Sequence, residues 1–149
     1  VRRVGLGAGA LAVVAALIVT QTGGASPTPT PTQTTPSLLV PGVDNGSDGM
    51  ATVFSCTNGG TAAASVTVSL FEKGGAPGPT RTASIAVNAT VNFATASVKA
   101  FTVDVNLGAP TMSSGSASIS APSGVFCAAF ITDASHDPPS VMVSLPVDK

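Results

Sequence analysis

Ser135-His136-Asp137 sets the three residue types of a hydrolytic relay side by side. Neighbours on one loop point in different directions, so the triplet cannot form a relay by itself. Pro138 and Pro139 follow at once, and His136, the single histidine of the chain, reads as an exposed loop residue. No G-x-S-x-G elbow accompanies it. Two cysteines, Cys56 and Cys127, with one distant histidine fit no zinc spacing. Asp44-Asn45-Gly46-Ser47-Asp48-Gly49 resembles the start of a calcium loop, with Asp44 and Asp48 at positions one and five. Position three is Gly46 and position twelve is Ser55, where that loop needs an oxygen ligand and a glutamate. The segment reads as a plain turn. The expectation is no catalytic residue, no cofactor-binding residue and no metal ligand.

The cysteines carry the remaining chemistry. They are even in number and the leader described below indicates export, so a Cys56–Cys127 disulfide is expected, two separate buried thiols being the alternative. Closing a loop of about seventy residues stabilises a fold by roughly 4 kcal/mol in the chain-entropy account. Asn45-Gly46-Ser47 and Asn88-Ala89-Thr90 are formal glycosylation sequons, which arise readily in a Ser/Thr-rich chain.

The elements that would position these residues show period two. Val66, Val68 and Leu70 alternate with Thr67 and Ser69; Ala83, Ile85 and Val87 with Ser84 and Ala86; Ala117, Ile119 and Ala121 with Ser116, Ser118 and Ser120. The clearest alternation runs from Phe101 through Val103 and Val105 to Leu107, and a further one from Val141 to Val147. Met50–Phe54 and Val125–Ile131 are apolar on both faces, as central strands are. Phe54, Phe101, Phe126 and Phe130 are expected in the core. Turn residues separate the runs, at Asn58-Gly59-Gly60, Gly74–Pro79 and Asp137-Pro138-Pro139 among others. The expected fold is all-β: a single Ig-like, Greek-key antiparallel sandwich of seven to nine strands over residues 38–149. A closed barrel is the alternative.

Two segments precede it. Arg2 and Arg3, an uncharged apolar run from Val4 to Val19 and the small residues Gly23 and Ala25 make a signal peptide over residues 1–25. An uncleaved membrane-anchoring helix is the rival reading, and membrane contact is then confined to that segment. Residues 26–37, SPTPTPTQTTPS, form a disordered, extended Pro/Thr-rich linker.

Charge excludes one class of partner. Charged residues make up 9% of the chain, and setting Arg2 and Arg3 aside leaves four Lys and Arg against seven Asp and Glu. No basic stripe for nucleic acid can be built from these. Trp and Tyr are absent, which counts against a carbohydrate-binding surface.

The Cys-to-Cys span is similar to that of Ig-type sandwiches, without the Trp that packs on the bridge there. Thr52–Asn58, Val125–Phe130, Pro138-Pro139-Ser140 and Val143–Pro146 resemble the recurring pattern of exported bacterial β-sandwich domains of unknown function. That resemblance implies a fold and an extracellular or envelope location, and no catalytic residue. The expected role is a non-enzymatic exported module with a structural, adhesive or interaction function toward an envelope partner. A periplasmic or secreted domain for a small ligand or metal is the alternative.

Overall fold

Alternating Val and Ser/Thr can satisfy a sheet with one face in a core and the other in water. The computed structural model describes residues 36–46 and 48–148, and shows that solution. The leader and the linker through residue 35 lie outside the described residues. Nine strands form: β1 (Ser37–Asn45), β2 (Met50–Asn58), β3 (Ala64–Phe71), β4 (Pro77–Ile85), β5 (Thr90–Ala94), β6 (Val105–Asn106), β7 (Met112–Ser120), β8 (Val125–Asp133) and β9 (Met142–Leu145). One sheet has the order β1-β7-β3-β4, the other β6-β5-β2-β8-β9. All pairs are antiparallel except β5 with the two-residue β6. The all-β sandwich expected from the sequence is the fold.

The first sheet keeps its alternation faithfully. Val66, Val68 and Leu70 of β3 and Ala117 and Ile119 of β7 point into the shared core, where they meet Phe54, Phe93 and Ile85. Their Ser and Thr neighbours face outward and pair across strands by hydroxyl contacts. Thr67 meets Thr82 at 2.8 Å, Thr80 donates to Ser69 at 3.0 Å, and Ser37 meets Ser118 at 2.5 Å. This is how a chain with few charges keeps an exterior polar. Gly115 of β7 sits where backbones crowd, since a Cβ there would lie 2.7 Å from the Phe71 carbonyl and 2.9 Å from Met112 Cε.

In the second sheet β2 is covered on both faces. Phe54 and Cys56 enter the main core, while Ala51 and Val53 join a second cluster with Ala94 and Val98 on the outer face. That outer cluster is roofed by residues 95–104, which run over the sheet between β5 and β6. Phe101 packs on Phe130 there, ring centres 4.9 Å apart. Thr52 is buried between the layers, yet its N–H donates to Thr95 Oγ1 (2.9 Å) and its hydroxyl donates to the Asp44 carbonyl (3.0 Å). Asn58 is likewise buried and satisfied, donating to the Ala62 and Ile85 carbonyls and accepting from Gly60 N–H. Between the sheets, Leu39 of β1 exchanges two backbone hydrogen bonds with Asp148, at 2.7 and 3.0 Å.

Three expectations change. Phe101–Leu107, the clearest alternation, is a strand only at Val105 and Asn106. Its side chains do alternate, but Phe101 and Val103 descend onto the outer face of the second sheet and Leu107 turns under into the main core. Phe126 is 70% exposed, because none of the described residues roofs that end of the outer face. Val141 and Val143 are exposed as well, although Val143 lies opposite Ile131 in the β8–β9 pairing.

Candidate functional site

The His136 loop is built around a carboxylate that the sequence triplet does not contain. Asp133 ends β8 and is buried. Its Oδ1 accepts from the N–H groups of Ser135 (3.2 Å) and His136 (2.9 Å), the turn an aspartate makes with residues two and three ahead. Its Oδ2 accepts from the Ser140 N–H and hydroxyl, both at 2.6 Å. Asp133 thus clasps both ends of the loop. The Ser140 hydroxyl, then the His136 ring and the backbone N–H groups, outweigh burial and hold its carboxyl well below the usual carboxylate range.

His136 Nδ1 lies 2.9 Å from Asp133 Oδ1 and 2.9 Å from Ser135 Oγ. A relay needs acid and nucleophile on opposite ring nitrogens. Here both contact the same one, so the imidazole cannot pass a proton from serine while the acid orients it. Asp137 is exposed and is not the residue that meets the ring. The triplet is a loop fastening.

Asp44 and Asp48 do come together. Asp44 is the penultimate residue of β1, and the carboxylates of Asp44 and Asp48 converge on the space a Gly46 side chain would fill, Asp44 Oδ1 lying 2.9 Å from that point. Asp44 Oδ1 is buried and has no hydrogen-bond partner. Burial first, and the Asp48 charge second, raise the Asp44 carboxyl above its ordinary value. The pair borders a cavity of about 300 Å³ with Thr111, Met112 and Ser113. Among the described residues no three His, Cys, Asp or Glu side chains are grouped as metal ligands. Nearby, Asn45 donates its side-chain amide to the Ala109 and Pro110 carbonyls, which occupies the first sequon, whereas Asn88 of the second is exposed.

Cys56 and Cys127 form the expected disulfide. Its placement differs from the Ig-type arrangement, where the bridge spans the two sheets. Here the cysteines face each other on adjacent strands β2 and β8 of one sheet, Cα atoms 4.1 Å apart, the spacing of a non-hydrogen-bonded pair. Cys56 is fully buried; Cys127 is half-buried and lines a groove of about 320 Å³ at the end of the sandwich. The groove is apolar, walled by Pro36 and Leu38, the β7–β8 turn at Pro122, and Val125 and Val147, with Phe126 at its border.

The last feature is an edge. Among the described residues β9 pairs with β8 on one side only. Asp133 N–H donates to the Val141 carbonyl, so by antiparallel alternation Met142 and Ser144 turn their backbone groups away from β8. Val141, Met142 and Val143 are exposed in succession, and no charged residue stands between Asp137 and Asp148. An edge of the other sheet, β4, carries Pro77, Pro79 and Arg81. Scanned against protein-family models, curated proteins and solved structures, the chain matches none.

Proposed function

We propose that the domain is a non-enzymatic interaction module of the exported or envelope compartment, and that it takes an extended, uncharged segment of an envelope protein along β9. The single observation carrying this reading is the unguarded β9 edge. Natural sheets protect such edges with charge, proline or cover, because free N–H and C=O groups template another strand. The β4 edge has those guards; β9 offers Met142 and Val143, each 53% exposed. Strand addition gives affinity through the backbone and selectivity through alternate side chains. Pro139 and Pro146 confine the contact to a few residues, which suits reversible attachment better than open-ended assembly. The disulfide supports an oxidising location.

The test is co-sedimentation of purified protein with washed envelopes of the source cells. Binding is expected for the wild type and lost in the Met142→Lys/Val143→Lys variant, with the melting temperature of both unchanged within a few degrees. Equal binding by the two proteins would remove the edge from the account. Concentration-dependent dimers abolished by the same variant would make a second copy the occupant. A calcium-dependent rise in melting temperature, lost in Asp44→Ala, would instead move the function to the acidic cavity.

A further inference from the structure

The groove at the end of the sandwich reaches one atom with chemistry of its own. Across the second sheet the register places Val91, Cys56 and Cys127 in one inward-facing row, and continuing the β8–β9 pairing by two residues sets Val147 next in that row. Disulfide exchange requires a thiolate to approach one sulfur from the side opposite the other. Approach to Cys56 would have to come through Val91 and the packed core, where Cys56 has no exposed surface. Approach to Cys127 comes from the Val147 side, which is the groove.

We propose that the Cys56–Cys127 bridge is a modification site entered through this groove, where a small uncharged aliphatic thiol is captured as a mixed disulfide on Cys127. Among the described residues no charged side chain lines the groove, so a charged thiol would lose its hydration there without a partner. The incoming thiolate gives its electron pair to Cys127 Sγ and forms the new S–S bond. The Cys56–Cys127 bond breaks, its pair leaves on Cys56 Sγ, and that sulfur takes up the proton the incoming thiol released. One thiol and one disulfide become one disulfide and one thiol, so no further oxidant or reductant is needed. The nine-pair ladder from Met50↔Asp133 to Asn58↔Val125 continues on both sides of the bridge, and holds the strands together while it is open. The buried Cys56 thiol then lies beside the adduct and can expel it.

The experiment treats the oxidised full chain with 2-mercaptoethanol or with glutathione below the denaturation range. Acid quenching, alkylation and peptide mass spectrometry follow. The mercaptoethanol adduct is expected on Cys127 alone, with alkylated Cys56, and faster than the glutathione adduct by on the order of tenfold beyond their ratio on unfolded protein. Val147→Trp, which fills the entrance, should slow capture by a similar factor at unchanged melting temperature, and Val147→Ala should speed it. Adducts on Cys56, or on both cysteines equally, would overturn the proposal. So would a capture rate that follows global unfolding and ignores both Val147 variants.

Discussion

Removing the bridge altogether, as Cys56→Ala/Cys127→Ala, tests how far the sandwich depends on it. The cysteines are 71 residues apart in sequence, and cross-linking a loop of that length lowers denatured-chain entropy enough to stabilise the fold by about 4 kcal/mol. Cys56 is fully buried, so its truncation adds a small void costing about 1 kcal/mol. A domain of roughly 110 residues unfolds with an entropy near 0.23 kcal/mol/K, so the combined loss lowers the melting temperature by about 20 °C. The variant should still fold, because the β2–β8 ladder and the outer cluster do not involve the sulfurs, and the main core keeps Phe54, Phe93, Leu70 and Ile119. Scanning calorimetry of the oxidised wild type and the double variant measures the difference directly. A fall of less than about 5 °C would refute the entropic reasoning, and would mean that the denatured chain already keeps β2 and β8 close.

Asp133→Asn should loosen the 133–140 loop and speed amide exchange at Ser135, His136 and Ser140 at neutral pH. The folded-state carboxyl titrates below its unfolded value near 3.9, so its stabilisation is present above that value and fades as pH falls below about 4; the variant should lack that acid-dependent loss. Gly115→Ala should cost about 1–3 kcal/mol in chemical denaturation, since the new methyl must displace the Phe71 carbonyl or Met112. Phe126→Ser should change stability by less than about 0.5 kcal/mol, unlike the 3–5 kcal/mol typical of a buried phenylalanine, because most of its ring is in water.

The sequence reading succeeded where side-chain alternation and strand pairing coincide. Val66, Val68, Leu70 and Ile119 are core residues because sheet pairing fixes their faces and the opposite sheet covers them. It failed where alternation has another origin. Phe101 to Leu107 alternate because an extended segment rides over one face and turns under another, and no local pattern records which backbone, if any, lies beside it. Phe126 and Val143 look like core residues by type, but burial depends on what distant chain covers them. The cysteine pairing was legible from compartment and number. Its position within one sheet was not, since a span in sequence does not assign strands to layers. The loop clasp has a signal three residues before the histidine, in the Asp133-Ala134-Ser135-His136 spacing that makes an aspartate turn, whereas the adjacent Asp137 is not the carboxylate that meets the ring.

The backbone exchange between Leu39 and Asp148 has a consequence in time. Among the described residues β1 is the first strand made, yet its partners are β7 and residue 148. β2, the next, can pair with β5 but gains its longer ladder only with β8. A chain delivered from its N-terminus therefore has no ladder partner for β1 until β7 has emerged, and contacts this distant in sequence form slowly. Under the export proposed above, the polypeptide would cross the membrane without a finished sheet to obstruct it. Neither sheet would be complete until β7 and β8 have crossed, with residue 148 closing over β1.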